Sequence, residues 1–247
     1  MQVLEPPPTL PLQIDARLAE QAVELSLFHN LGHPYWARRE EIYSVPDPEE
    51  RDRRFAELAQ EAFEALSLRE PIDKALAEHP ILAEKLSRLL IVPARAQRDE
   101  GAELFVEPGV ARNAVLRLRP ETFLEPDKLL GILRHEVFHI ADMLEPAFGY
   151  DPSPPQTASD KPSTQAVVVE RYGALWDAVI DGRLASAGKA PAGARELRRR
   201  QFLRAFSSLL GTAAEEEFAR WFEEPQPRHE AMVAFARGPQ KPDAAVP

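Results

Sequence analysis

Proline constrains this chain more than any other residue type. There are 24 prolines among 247 residues, and each is tolerated at a helix start but not in a helix interior. Their positions therefore mark where regular structure begins and ends. Pro6, Pro7, Pro8 and Pro11 make residues 1–12 an extended arm. Ile14, Leu18, Leu25 and Phe28 then share one helical face until Asn30-Leu31-Gly32-His33-Pro34 stops the pattern. The periodicity predicts further helices over 48–68 and 71–90, the latter from Ile72, Leu76, Leu82, Leu86 and Leu89. Between 102 and 119 the pattern changes to two short apolar or alternating runs around Pro108-Gly109, which read as a strand pair. A helix follows over 126–144, with Pro126 in its first turn and Pro146 beyond its end. Residues 146–164, with five prolines and three serines, read as a loop, either a mobile lid or a disordered insertion. Helices over 164–187, 194–210, 212–223 and 228–237 complete the series, with Thr212 and Glu215 as a capping box.

The expected fold class is α+β and predominantly helical, with a small sheet or hairpin beside the 126–144 helix. One domain over 13–238 lies between the arm and a frayed tail at 239–247. Cysteine is absent, which excludes a disulfide framework, a thiolate nucleophile, a cysteine-ligated iron–sulfur cluster and any Cys-based zinc site. The net charge of −10 argues against a nucleic-acid partner. No apolar run reaches the ~20 residues of a membrane span, and the N-terminal residues lack a signal-peptide pattern, so the expected location is cytoplasmic.

The chemistry is concentrated in His135-Glu136-Val137-Phe138-His139. Residues four apart on a helix lie above one another, so two imidazoles can grip one Zn²⁺ with Glu136 beside it as general base. With six His and 28 Glu in the chain, about 0.02 such matches arise by chance. Ile132, Leu133, Val137, Phe138, Ile140 and Ala141 surround the motif with uncharged side chains.

A third ligand must come from elsewhere. Glu170, Asp177 and Asp181 share one face of the 164–187 helix, and burying three acids among Val, Leu, Ile and Trp calls for a cation. Asp177 and Glu170 are both candidates, and they lie too far apart along the helix for both to bind. Asp181 can otherwise be read as pairing with Arg183 or Arg171 on a solvated face. His29 and His33 read as loop residues, separated from helical alignment by Gly32 and Pro34. His229, Tyr150 and Tyr172 are possible oxyanion donors that nothing in the sequence chooses among. Arg195, Arg198, Arg199, Arg200 and Arg204 read as a solvated basic face.

The segment Ile132–Ala141 resembles the active-site helix of the zincin metallopeptidases. The resemblance implies a zinc hydrolase acting on a peptide or protein substrate, with a sheet edge that pairs with the bound peptide. Ala114–Arg119 is the expected edge. The metzincin pattern would require glycine at position 142 and histidine at 145, where this chain has Asp142 and Glu145. Asp177 and Asp181 resemble the four-residue ligand-and-brace spacing of the glutamate-ligand zincins, with Asp in place of Glu. The resemblance implies Asp177 as the third ligand, Glu170 as the alternative, and Asp181 as the brace of an imidazole. Trp176–Asp181 likewise resembles the aspartate-ligand helix of some bacterial metallopeptidases. The implied activity is attack of a metal-activated water on a peptide carbonyl, assisted by Glu136. The alternative is a catalytically inactive zincin-like domain with a structural or regulatory role.

Overall fold

The computed structural model describes residues 10–106, 112–153, 162–209 and 212–238. They belong to two compact units, residues 1–141 and 142–247. The fold is α+β and predominantly helical, with one four-stranded sheet.

In the first unit, strand β1 (Leu12–Ile14) leads into helices α1 (Ala16–Leu27), α2 (Pro34–Ile42), α3 (Pro48–Ala65), α4 (Glu70–Ala77) and α5 (Ile81–Lys85). Strands β2 (Arg88–Pro93), β3 (Gly101–Val106) and β4 (Arg112–Leu118) follow, then a 3-10 turn at Pro120–Leu124 and helix α6 (Pro126–Leu144). The strand order is β1-β2-β4-β3, parallel except for the β3–β4 pair. That antiparallel pair is the predicted one, while β1 and β2 depart from prediction.

The expected 71–90 helix is instead α4, α5 and a buried parallel strand. Leu86 turns to an extended conformation at the end of α5, and Leu89 and Ile91 are fully buried in β2. A strand flanked on both sides by parallel neighbours reads as an unbroken apolar run, which periodicity does not separate from a helix. Likewise β1 takes Leu12–Ile14 from the expected arm and first helix, and pairs Gln13 with Leu90. Residues 1–9 of that arm lie outside the described residues, as do 107–111, 154–161 and the 239–247 tail. The Thr212 side chain of the expected capping box is also outside them. The expected peptide-pairing edge at Ala114–Arg119 is corrected, because β4 lies between β2 and β3 with both its sides occupied. Among the described residues the outer strands are β1 and β3.

Asn30–Pro34 ends α1 as expected, but it also starts α2. His33 accepts from the Tyr35 backbone N–H at 3.2 Å, and Pro34 takes the first turn. Helix α2 buries only Tyr35 and Ile42 and is otherwise polar, so it carries no apolar stripe to read. Leu18, Val23, Phe63, Ile72, Leu116, Phe123, Leu133 and Val137 form the first unit's core. Two contacts hold the N-terminal side of α6. Glu100 accepts from the Arg119 backbone N–H at 3.1 Å and the Thr122 hydroxyl at 2.7 Å, tying the start of β3 to the turn before α6. Arg134 grips Glu78 with two nitrogens, at 3.1 and 2.7 Å.

In the second unit, α7 (Pro162–Ser186) packs against α8 (Ala194–Ala205), α9 (Thr212–Phe222) and α10 (His229–Arg237). Phe202, Phe206, Phe218, Trp221 and Phe235 form a continuous ring cluster among α8, α9 and α10. Helices α7 and α9 pack backbone against backbone at Gly182, where a Cβ would lie 1.7 Å from the Phe222 carbonyl oxygen. Asp142, buried, accepts from Arg183 at 2.9 and 2.5 Å and from the Trp176 indole at 2.9 Å. Removing one partner of a buried charged pair strands the other, at a cost of about 3–5 kcal/mol. Asp142→Ala is expected to lower stability by an amount in that range, read by calorimetry; an unchanged melting temperature would contradict the pairing.

Among the described residues, no helix is long and apolar enough to cross a membrane.

Candidate metal centre

Helix α6 presents its motif as the spacing requires. Leu129, Leu133, Val137 and Ile140 are buried along one face, and His135 and His139 lie one turn apart beside it. His135 is buried, while Glu136 and His139 are half-buried. The two Nε2 atoms are 3.2 Å apart, and the rings meet at 74°. Zn–N bonds of about 2.0–2.1 Å at a tetrahedral angle require about 3.3 Å between nitrogens, so the donor pair fits a zinc ion. The same separation lets the rings share a proton. The Glu136 carboxylate lies over the start of β3, with Oε2 3.8 Å from where a Cβ on Gly101 would be.

On α7 the three acids separate. Glu170 is exposed, Asp177 half-buried and Asp181 buried. The solvated face expected for Asp181 is overturned, because its side chain is buried. Arg183 is held by Asp142, and Arg171 donates to the Ala205 carbonyl and the Ser208 hydroxyl. Arg198 bridges the acids, donating from Nε to Asp181 at 2.6 Å and from Nη1 to Asp177 at 3.0 Å. Its side chain is only 14% exposed. Arg198 therefore departs from the solvated face expected of its run, where Arg195, Arg199 and Arg200 do pair with glutamates near solvent. The burial of these acids thus already has a cation. No residue pattern picks Arg198 from its neighbours, because only the packing of α8 on α7 turns it inward.

His229, Tyr150 and Tyr172 converge in the second unit. The Tyr172 hydroxyl and His229 Nδ1 share a hydrogen bond at 2.7 Å, and Tyr150 and Phe148 meet the imidazole edge-on. Burial pushes the Tyr172 hydroxyl far above the usual tyrosine range, so it keeps its proton. Burial pushes His229 below its ordinary 6.5, against a smaller opposing pull from Asp151. The sign of the linkage follows. Unfolded, the ring titrates near 6.5, whereas folded it stays neutral to lower pH. The unfolded chain therefore binds the extra proton first, so stability is full above 6.5 and declines as pH falls below it. His229→Gln is expected to flatten this decline in melting curves from about pH 7 to about pH 5. An unaltered pH profile would contradict it.

His79 packs edge-on against Phe138 at 4.6 Å, and His29 meets Phe28. Glu145 is exposed just past α6. The chain matches no family model, no curated protein and no solved structure.

Proposed function

We propose that the chain is a zinc-dependent hydrolase, a metallopeptidase acting on a peptide or protein substrate. His135, His139 and Asp177 would hold the metal and Glu136 would serve as general base. The observation that carries the reading is the imidazole pair on α6, with Nε2 atoms 3.2 Å apart and a carboxylate at the intervening position. Further support comes from the donor set of the proposed ligands. Their donors are nitrogen and oxygen, the set of open catalytic zinc sites more often than of closed structural ones.

Bound there, zinc would supply Lewis acidity, polarising a carbonyl oxygen and making water more acidic. Glu136 takes the proton of the attacking water. Strand β3 is the outer strand nearest Glu136, and its free edge is the proposed partner for an extended peptide, in place of the interior β4. Asp181 is the proposed brace for an imidazole, with Arg198 fixing the orientation of its carboxylate. The proposed site of action is the cytoplasm.

The third ligand is tested by zinc content. Asp177→Asn is expected to retain at least about tenfold less zinc than wild type after dialysis against a weak chelator. Glu170→Gln, which alters an exposed side chain, is expected to retain the wild-type amount. Equal retention in both variants would remove Asp177 from the ligand set. The inactive zincin-like alternative has one observation in its favour: Arg198 already holds an Asp177 oxygen. A chain that takes up no zinc would favour that alternative.

A further inference from the structure

A cavity of about 730 Å³ opens among α7, α9, α10 and the end of α8, a size typical of small-molecule sites. Its apolar wall is Phe206, Trp221 and Phe235, and three arginines line it: Arg171, Arg220 and Arg237. Arg220 is neutralised by Glu217 at 2.5 Å and stacks over Trp221. The other two differ. Arg171 donates to a carbonyl and a hydroxyl, and among the described residues neither Arg171 nor Arg237 has a carboxylate partner. The Nη1 of Arg171 reaches toward the chain just past Arg237, lying 3.7 Å from where a Cβ on Gly238 would be.

Two residues that line the same cavity each carry a buried donor without an acceptor, the Trp221 indole N–H and the Nε–H of Arg237. Native proteins rarely bury a donor unpaired, and such groups call for an explanation. A cavity with surplus guanidinium charge, unmet N–H groups and flat aromatic walls is suited to a ligand that only accepts hydrogen bonds and carries an apolar body. We propose that this cleft binds an organic carboxylate with a flat apolar body. Its carboxylate would lie between Arg171 and Arg237 within reach of the Trp221 N–H, and its body would lie against Phe206 and Phe235. A planar carboxylate suits the fork of a guanidinium, and the aromatic rings suit an aryl group.

The probe is naphthalene-2-carboxylate, titrated calorimetrically into the full chain, with the uncharged naphthalene-2-carboxamide in parallel. The carboxylate is expected to bind at one site with a Kd of about 0.1–1 mM. The carboxamide is expected to bind at least about tenfold more weakly. Arg237→Gln should weaken carboxylate binding about tenfold, Arg237→Lys less, and Trp221→Phe should weaken it with the charge unchanged. If Arg237→Gln loses its folded near-ultraviolet signal, Arg171→Gln supplies the same comparison. Equal binding of the carboxamide would overturn the charge assignment. Wild-type affinity in the folded arginine variants would overturn the site. No saturable binding of the carboxylate by about 10 mM would overturn the proposal itself.

Discussion

Gly182→Ala is expected to destabilise the helical unit by about 3 kcal/mol, the upper end of the usual cost of overpacking. The added methyl would begin 1.7 Å from the Phe222 carbonyl oxygen, with the carbonyl carbon at 2.7 Å. Those atoms are backbone, so no side-chain rotation relieves the overlap and α9 must move off α7. That movement would open the contacts of Phe218, Trp221 and Phe222, all buried. At about 2–4 °C per kcal/mol for a chain of this size, the melting transition should fall by about 10 °C. Gly173 lies on the same helix with nothing within 4 Å of its would-be Cβ. Gly173→Ala removes a poor helix former at no steric cost and should gain up to about 1 kcal/mol. Calorimetry of the pair separates close packing from helix propensity. A neutral Gly182→Ala would mean that α7 and α9 do not meet at this distance.

The second large effect is on turnover. Glu136→Gln is expected to lower kcat by about 10²–10⁴-fold, the usual contribution of a positioned general base. Glutamine keeps the shape and hydrogen-bonding reach of glutamate but does not accept a proton from water. The imidazoles are untouched, so zinc content should stay at the wild-type level. Cleavage of a mixed fluorogenic peptide library, with zinc measured on the same preparations, checks both halves. Wild-type cleavage by the variant would remove Glu136 from the mechanism. Loss of zinc along with activity would make it a structural neighbour of the ligands instead.

Helix α6 and its motif were legible in the sequence because local signals agree there. Pro126 stands in its first turn, apolar residues recur at helical spacing, and the two histidines follow that spacing. Helix α7 was legible as a long, largely apolar run between the proline-rich segment and Gly188. Strand β2 was not, because Leu89–Val92 is a continuous apolar run whose identity is settled by its neighbours β1 and β4 rather than by its own period. Helix α2 was missed for the opposite reason, having almost no apolar face. The candidate acids were visible as acids, but their partner was not. Arg198 differs from Arg195 and Arg199 only in the direction its side chain takes once α8 packs on α7. The convergence of Tyr150, Tyr172 and His229 depends on chain segments 57 residues apart meeting at a 2.7 Å hydrogen bond, which one-dimensional spacing does not encode.

The most direct test of the metal centre is zinc stoichiometry by elemental analysis. The metal-stripped chain would be reloaded with one equivalent of zinc and dialysed, beside His139→Ala treated identically. The proposed centre requires close to one zinc per wild-type chain and at least about tenfold less in His139→Ala, since losing one protein ligand leaves an open site underligated. A wild-type chain that holds no zinc, or a His139→Ala chain that holds as much as wild type, would contradict it.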